Sequence, residues 1–322
     1  MKKVLITSSL IYDYIMNFPG TYEEFIIPGK IKTLNLTFQL DNLERNFGGN
    51  GGNFAHNLNL LSINSAIITS VGEKDFEPYM DYLKKMKVNT DYINIVRDKF
   101  TANCFIMTDS IHCQITGFYP GPMTQDETLS INSVKNLDEY NFLLISTSTP
   151  ASITKFAKEA TEKKIPYLYA PGQETQRVNK DQLLTGIKGA EIIVVNDYEL
   201  ALIEKITGLT KNDLLKYAKI VITTFGAEGS EITTANNEVI RIPIAPTKNA
   251  IDPTGVGDAY ISGFTTGYIN DLPLKTCGQI GALIATYCLE QYGTQKHTFT
   301  PQEFEKRFLK SFNERLSLIP NT

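Results

Sequence analysis

Tryptophan is absent from the 322-residue sequence, and cysteine and histidine are scarce. The four cysteines include no C-x-x-C pair, and the three histidines have no spacing typical of metal ligands. Neither a zinc site nor a dithiol redox motif is therefore expected, and we predict core thiols in a reducing cytosol. The residues concerned are Cys104, Cys113, Cys277, Cys288, His56, His112 and His297.

The sequence also lacks an excess of charge and a long hydrophobic run. Its 31 basic and 35 acidic side chains give a net charge of −4, so no basic face for nucleic acid or an anionic membrane is expected. The apolar run near the N-terminus breaks at residues 7–9, and no segment approaches the length of a membrane span. We interpret this run as a first strand and predict a cytoplasmic protein with no membrane or nucleic-acid partner.

Two enzyme signatures are missing as well. The sequence has no Gly-x-Ser-x-Gly elbow of a serine hydrolase. The glycine-rich segment 46–61 is not a dinucleotide fingerprint, because its third glycine would fall on Phe54. A nicotinamide-dependent oxidoreductase is disfavoured for that reason.

The sequence has, instead, short apolar runs that alternate with segments of helical spacing. Runs with little polar alternation are typical of strands covered on both faces. Their order predicts one α/β domain over residues 1–322, with a mainly parallel sheet wrapped by helices. Predicted strands are 4–7, 66–71, 142–145, 167–169, 192–195 and 220–224; predicted helices are 54–61, 76–86, 153–163, 198–206, 213–219, 259–268, 274–290 and 302–316.

Two stretches in the N-terminal third have a different pattern. Residues 34–40, LNLTFQL, alternate apolar and polar, and residues 103–115 contain two β-like runs around a turn at 108–110. Such alternation is typical of an antiparallel sheet with one wet face. We predict a small β lid, formed from about 14–46 and 100–122, over the carboxyl edge of the main sheet. A further hairpin is predicted at 231–244, with its turn at 236–237.

The segment IDPTGVGDAYISGF, residues 251–264, is similar to a phosphate loop without its lysine. Unpaired backbone N–H groups at a helix start form an anion site, and Gly255 and Gly257 let the backbone approach a phosphate. Asp258 carries the same charge as phosphate and would repel it, so the loop alone leaves two roles open. Asp258 caps the helix, or it accepts the proton of a hydroxyl that attacks the bound phosphoryl group.

Three other segments carry polar side chains or glycines at the ends of strands and helices. GGNGGN, residues 48–53, places Asn53 in the first turn of a helix, where it can bond a hydroxylated ligand. Asn196 and Glu199 follow a buried strand and suit a hydrated magnesium–phosphate. Residues 224–229 end another strand in a glycine turn.

With these elements in this order, the chain resembles the ribokinase-like, or PfkB-type, kinases over nearly its whole length. The elements are GGNGGN at 48–53, N-x-x-E at 196–199, T-x-G-x-x-G at 224–229 and DPTGVGD at 252–258. The resemblance implies a three-layer α/β sandwich with a mainly parallel central sheet and a small β-sheet lid. It also implies magnesium-ATP, with Glu199 acting on Mg²⁺ indirectly, and leaves a K⁺ requirement open.

Within that family the chain is most similar to the bacterial adenosine kinases, in residues 9–43, 117–123 and 252–260. This similarity implies ATP-dependent phosphorylation of the 5′-hydroxyl of adenosine to give AMP. Asp258 would be the base, with an ordinary pKa of about 3.9. The backbone around it would form an anion hole for the transferred group. The implied ATP and anion-hole residues are Asn196, Thr224, Gly226, Gly229, Gly255, Val256 and Gly257.

The similarity also implies a set of substrate-binding residues. Asp13, expected just after the first strand, would accept hydrogen bonds from the vicinal ribose hydroxyls. Phe118 and Met123, from the lid, would pack against the purine. The remaining implied residues are Ser9, Thr37, Gly48, Gly49, Asn53 and Gln173.

Two residues depart from the pattern of the family. Cys104 stands where similar kinases carry an aromatic side chain, so stacking on the base would be weaker or would come from Phe105 or Phe118. Ala170 replaces an acid that is common at that strand end. Neither change touches Asp258, so both concern the substrate rather than the reaction.

Several alternatives stay open. A sugar kinase of the same fold is the nearest rival, and a non-catalytic nucleoside-binding protein is another. Asp13 also fits an ordinary turn acid, Thr37 a polar strand residue facing water, and Phe118 and Met123 the core of the lid. A homodimer through the lid, with residues 34–40 as its seam, is a further expectation.

Overall fold

The computed structural model describes residues 2–27 and 29–317. Residues 1, 28 and 318–322 belong to the predicted domain, and residue 28 to the predicted lid, but they lie outside the described residues. The strands are β1 Lys3–Thr7, β2 Ile11–Asn17, β3 Asn42–Gly48, β4 Asn64–Gly72, β5 Ile93–Val96, β6 Ala102–Thr108, β7 Gln114–Tyr119, β8 Phe142–Ile145, β9 Tyr167–Tyr169, β10 Ile192–Asn196, β11 Ile220–Thr224, β12 Ser230–Thr234 and β13 Val239–Ile242. The α-helices are α1 Asn50–Leu60, α2 Glu77–Lys85, α3 Pro150–Lys163, α4 Lys180–Lys188, α5 Asp197–Thr207, α6 Lys211–Leu214, α7 Val256–Ile269, α8 Leu274–Leu289 and α9 Pro301–Phe312.

The main sheet has nine described strands in the order β13-β12-β11-β10-β9-β8-β1-β4-β5. Neighbours from β5 to β11 are parallel, and only β12 and β13 at one edge pair antiparallel. Val4 and Ile6 of β1 pack into a core shared with α1, α2, α7 and α8, whereas Leu5 packs into a core shared with α3, α4 and α5. The predicted three-layer sandwich with a mainly parallel sheet is therefore confirmed.

Close packing of α7 against α8 holds the start of α7 in place. A Cβ added at Gly263 would lie 2.7 Å from the Cα of Gly281, and one added at Gly267 would lie 2.9 Å from the Cα of Cys277. Glycines one turn apart thus let the two backbones touch. This contact places α7, whose first turn carries Asp258, directly against α8.

The predicted lid is present as a separate sheet with the order β3-β2-β6-β7. Its strands begin at Ile11, earlier than predicted, and the expected strand at 34–40 is wrong because these residues have no regular structure. Leu34 is exposed, whereas Leu36, Phe38 and Leu40 are half-buried without a partner strand. Phe38 packs against Phe18 with ring centroids 4.7 Å apart. The alternation of apolar and polar residues in this irregular segment therefore led to the wrong prediction of a strand.

Other boundaries differ for local reasons. The helix predicted at 213–219 is only the short α6, because the chain must turn before β11 begins at Ile220. The last predicted helix ends at Phe312 rather than 316, since Asn313 adopts a left-handed conformation with φ of 56°. The hairpin at 231–244 is confirmed, and Asn237 occupies its turn with φ of 61°. In the part of the chain that is described, no helix is long and apolar enough to cross a membrane.

Candidate active site

A cavity of about 910 Å³ lies between the lid sheet and the carboxyl edge of the main sheet. Ligands of open α/β sheets bind at this edge, because loops and helix starts converge there. Most of the predicted site residues line it, namely Ser9, Asp13, Gly49, Asn53, Phe118, Met123, Gln173, Asn196, Glu199, Thr224, Gly255, Gly257 and Asp258.

The other predicted residues lie outside the cavity lining. Thr37 is exposed in the irregular segment 34–40 and does not line the cavity. The alternative interpretation expected a polar residue that faces water, and this exposure agrees with it, although the segment is not a strand. Gly226 and Gly229 form the turn between β11 and β12, where both have positive φ. Val256 is the first residue of α7, and Gly48 lies behind the Asp13 side chain.

The glycines at the start of α1 let two backbone segments cross. Gly49 has φ of 83°, and a Cβ there would lie 2.5 Å from the carbonyl oxygen of Ser9. The N–H of Gly51 donates to that same carbonyl at 2.9 Å. A Cβ at Gly48 would overlap the carboxylate of Asp13. The motif therefore positions Asp13 against β3 and brings the first turn of α1 to the cavity.

Asp258 does not cap α7. The N-cap is Gly255, with φ of 75°, and Asp258 lies in the first turn with its carboxylate directed at α1. Asn50 Nδ2 donates to Asp258 Oδ1 at 2.6 Å, and Asn53 Nδ2 donates to Asp258 Oδ2 at 2.7 Å. The capping alternative is therefore wrong. Asn53 lines the cavity and its amide also donates to Asp258, so its contact with a ligand stays a prediction.

The acidity of Asp258 differs from the expected value of about 3.9. Burial raises the pKa of Asp258 to about 6, because the charged form is separated from water. Donation by Asn53 and Asn50 offsets part of this rise, and the negative charge of Glu199 adds to it. Asp258 is still mainly ionised at neutral pH, but it is a stronger base than an exposed aspartate.

The loop before α7 is fixed by Asp252. Its carboxylate accepts from the N–H of Thr254 at 2.9 Å and from the N–H of Gly293 at 3.0 Å. The N–H of Val256 donates to the carbonyl of Pro253 at 3.3 Å, a long bond that closes the turn. Of the three N–H groups expected to form an anion hole, this one already has a protein partner. The geometry thus leaves Gly255 and Gly257 as the better donors.

Asp13 lies on the lid strand β2 rather than in a turn after β1. Its neighbours in register are Asn46 on β3 and Cys104 on β6, and all three line the cavity. Burial, together with the charge of Asp252, raises the pKa of Asp13 to about 6. Among the described residues, no group donates a hydrogen bond to this carboxylate. The Asn46 Nδ2 atom is buried and likewise has no partner in the described part of the chain.

The carboxyl ends of β10 and β11 supply a second polar group. Asn196 pairs in register with Thr224, and both line the cavity. Asn196 and Glu199 form a capping box: the N–H of Glu199 donates to Asn196 Oδ1 at 2.7 Å, and the N–H of Asn196 donates to Glu199 Oε2 at 3.0 Å. Burial raises the pKa of Glu199. One oxygen of each side chain is thus engaged in the protein.

No group of three or more His, Cys, Asp or Glu side chains is arranged to hold a metal within the described ranges. Mg²⁺ keeps several waters and binds proteins through one or two carboxylates and substrate phosphates. The second carboxylate oxygen of Glu199, beside Asn196, could therefore bind Mg²⁺ through a water molecule. The site does not have enough protein ligands to enclose the ion by itself.

The lid supplies the apolar wall. Cys104 pairs in register with Phe118, which is 47% exposed. Met123 is buried, but it lies in the 3-10 helix Gly121–Thr128 after the lid sheet, so its predicted place in the lid is wrong. Phe105 does not line the cavity and instead stacks on Tyr14 with ring centroids 5.0 Å apart, so of the two predicted stacking residues only Phe118 lines it. Burial raises the pKa of the Cys104 thiol to about 11, so this side chain is a neutral part of the wall.

Several residues in or around the cavity were not singled out in the sequence. Asn46 and Asn50 belong to the glycine-rich segment, but nothing in one sequence indicates which amides face a carboxylate. Thr147 and Gln295 are far from that segment, yet both bond its asparagines. Asp252 belongs to the DPTGVGD motif, but its role in fixing the loop includes a hydrogen bond from Gly293, which lies 41 residues away in the sequence.

The fold and the cavity can be compared with known proteins. The model of the pfkB family of carbohydrate kinases matches residues 5–301. A nucleoside kinase from Methanocaldococcus jannaschii is 29% identical over 316 residues, which are 96% of this chain and 98% of that protein. One from Methanothermobacter thermautotrophicus is 27% identical over 95% of this chain and 96% of that protein.

Solved structures agree with this comparison. The Burkholderia thailandensis nucleoside kinase in complex with inosine has a TM-score of 0.86 and 29% identity, over 97% of this chain and 99% of that one. The Methanocaldococcus jannaschii nucleoside kinase, described as an archaeal member of the ribokinase family, has a TM-score of 0.86 and 28% identity, over 96% of this chain and 99% of that one. The predicted resemblance to the ribokinase-like kinases is confirmed, and the chain belongs to the pfkB family of carbohydrate kinases.

Proposed function

We propose that this protein is a nucleoside kinase that transfers the γ-phosphoryl group of magnesium-ATP to the 5′-hydroxyl of a nucleoside, with adenosine as the acceptor. The observation that carries the proposal is the placement of Asp258. Its carboxylate faces the cavity in the first turn of α7, beside Gly255 and Gly257, where a phosphoryl group can meet backbone N–H groups. The kinases that are similar to this chain over its whole length support a nucleoside acceptor.

Asp258 would act as the base. The 5′-oxygen attacks the γ-phosphorus, the bond from that phosphorus to the β–γ bridging oxygen breaks, and ADP leaves with the electron pair. Asp258 accepts the hydroxyl proton, and the donors Asn50 and Asn53 keep both of its oxygens in place. In a loose transition state the proton is transferred late, so a carboxylate with a pKa of about 6 is a sufficient base.

The negative charge of the transferred group would be stabilised by protein and metal together. The N–H groups of Gly255 and Gly257 are the proposed anion hole, with Val256 contributing less because of its bond to Pro253. Bound Mg²⁺ would neutralise charge on the ATP phosphates, and Glu199 would hold its water. Asn196, Thr224, Gly226 and Gly229 would bind ATP along the ends of β10 and β11.

Ribose recognition is proposed for the buried groups that have no partner. Asp13 can accept from both vicinal hydroxyls, and Asn46, directly across the β2–β3 ladder, can donate to one of them. Directly opposed side chains in an antiparallel pair lie about 4.5–5.5 Å apart at Cβ, close enough to share one diol. Ser9, Gly48 and Gly49 would complete this end of the site, and the role of Thr37 stays a prediction.

The base would lie against Phe118 and Met123, with Gln173 near the shared part of the cavity. The acceptor is tested by a panel in which adenosine, inosine, other nucleosides, ribose and fructose are assayed for ADP release. The expected result is a clear preference for a nucleoside that disappears in Asp258→Asn. Preference for a free sugar would establish the sugar-kinase alternative, and binding without turnover would establish the non-catalytic one.

Three further predictions need separate measurements. Rates in potassium and in sodium salts test a K⁺ requirement. Light scattering tests the lid-mediated dimer, for which the sheet edges β3 and β7 replace the erroneous seam at 34–40. A single unfolding transition by two probes tests the assignment of residues 1–322 to one domain.

A further inference from the structure

Two hydrogen-bond chains lead to Asp258 from outside the reacting groups. An ionised carboxylate can only accept, so the NH₂ groups of Asn50 and Asn53 must both face it. An asparagine amide can rotate by half a turn, which would present its oxygen to the carboxylate instead. The carboxylate itself favours the NH₂ groups, and a second partner at the oxygen of each amide strengthens that preference.

The first amide is fixed by Thr147. Its Oγ1 donates to Asn50 Oδ1 at 2.5 Å. Thr147 is itself fixed after β8, because its carbonyl accepts from Ser8 Oγ at 3.0 Å and from the N–H of Ser9 at 3.0 Å. The direction of donation thus runs from Thr147 through Asn50 to Asp258.

The second amide is fixed by Gln295. Its Nε2 donates to Asn53 Oδ1 at 2.9 Å and to the hydroxyl of Tyr79 at 2.8 Å. The Tyr79 hydroxyl donates in turn to the carbonyl of Gly48 at 2.9 Å, so it can only accept from Gln295. Both partners require an NH₂ group at that position, and the direction of the Gln295 amide is determined. The donation runs from Gln295 through Asn53 to Asp258.

Burying the Gln295 side chain has a free-energy cost. It is 8% exposed, and its Oε1 atom is buried without a partner among the described residues. A methionine or leucine would fill similar space without a buried polar atom. What the amide provides in return is its two hydrogen bonds, to Asn53 Oδ1 and to the Tyr79 hydroxyl.

We propose that Gln295 is a positioning residue for the phosphoryl transfer, acting with Thr147 to orient the asparagine amides that hold Asp258. The inference rests on the proposed function of Asp258 as the base. The other ionisable groups near Asp258 are Glu199 from α5, Asp252 from the preceding loop and Cys288 from α8. None of them contacts Gln295 by a described hydrogen bond, so a change at Gln295 reaches Asp258 through Asn53.

Gln295→Met and Gln295→Glu test the proposal together. Methionine removes the donor, and a glutamate carboxylate attracts the NH₂ group of Asn53 and turns its oxygen toward Asp258. We expect kcat to fall by about 10-fold or more, because the base is misplaced, with a smaller change in the KM for ATP. Loss of a donor to the charged form raises a carboxyl pKa, so the acid limb of kcat against pH moves upward from about 6, and further for glutamate than for methionine.

Gln279→Met is the matched control. Gln279 is also buried, also has an unpartnered Oε1 and lies on α8, bonded to the surface residue Glu314. It should alter the Tm without moving kcat or the acid limb. An unchanged limb and kcat in Gln295→Met, or an equal change in Gln279→Met, overturns the proposal. A wild-type protein without kinase activity on any acceptor would instead refute the function on which it rests.

Discussion

Replacing Asp258 by asparagine should abolish turnover and, at neutral pH, stabilise the fold. Burial raises the pKa of Asp258 from 3.8 to about 6. A carboxyl group whose pKa is raised by folding costs no stability below its unfolded pKa, and the cost grows as the pH rises from about 4 to about 6. Above pH 6 the full cost remains, about 3 kcal/mol at about 1.4 kcal/mol for each pH unit.

Asparagine removes this cost because it has no charge to bury. Its Oδ1 atom can accept from only one of the two donors, Asn50 or Asn53, and its NH₂ group then faces the other donor and leaves it unpaired. The unpaired donor costs about 1–3 kcal/mol, so we expect a net gain of about 0–2 kcal/mol at pH 7.5 that falls to zero or below at pH 4.5. Nucleoside binding should change little, because Asp13 and Asn46 stay intact.

Urea unfolding of wild type and Asp258→Asn at pH 7.5 and pH 4.5 measures this difference. The slope of free energy against denaturant should be equal in both proteins, so that the midpoints report stability alone. An Asp258→Asn variant that is destabilised equally at both pH values would refute the claim that the buried charge of Asp258 lowers the stability of the wild-type protein. It would also remove the physical reason for the raised pKa.

Three other predictions concern the ribose end of the site. Asp13→Asn should raise the KM for adenosine by about 10–100-fold with a smaller effect on kcat, because it replaces a charged acceptor of two hydroxyls; an equal fall of kcat would argue against a binding role. Asn46→Ala should lower kcat/KM for adenosine by about 10-fold and for 2′-deoxyadenosine or 3′-deoxyadenosine by less, and equal losses for all three nucleosides would remove Asn46 from ribose recognition. Gly49→Ala should destabilise the protein by at least about 2 kcal/mol in urea unfolding, because of its φ of 83° and the nearby Ser9 carbonyl. Gly117→Ala is its control, since a Cβ there meets nothing within 4 Å, and equal effects would contradict the steric argument.

The layers of the fold could be predicted because each buried strand is a local signal. Residues 4–7 and 220–224 are apolar on both faces, and only a sheet covered on both sides buries them. The segment 34–40 shows where the signal fails. Leu36, Phe38 and Leu40 are half-buried there, but a strand also needs a partner, and no local pattern shows whether one is present.

The acid at the start of α7 could also be predicted from its spacing. Its surroundings could not, because they depend on contacts between distant segments. Asn53 lies 205 residues from Asp258, and Gln295 lies 242 residues from Asn53. The direction of an amide and the pKa of a buried acid follow from such contacts. The expectation of an ordinary pKa for Asp258 was wrong for this reason.

The most direct test is to identify the product formed from ATP and adenosine. Wild-type protein should convert them to ADP and adenosine 5′-phosphate in equal amounts, as seen by phosphorus NMR and mass spectrometry, and Asp258→Asn should form neither above background. A wild-type protein that phosphorylates no nucleoside, or an Asp258→Asn variant with near-normal kcat, would contradict the proposed role of Asp258 in nucleoside phosphorylation.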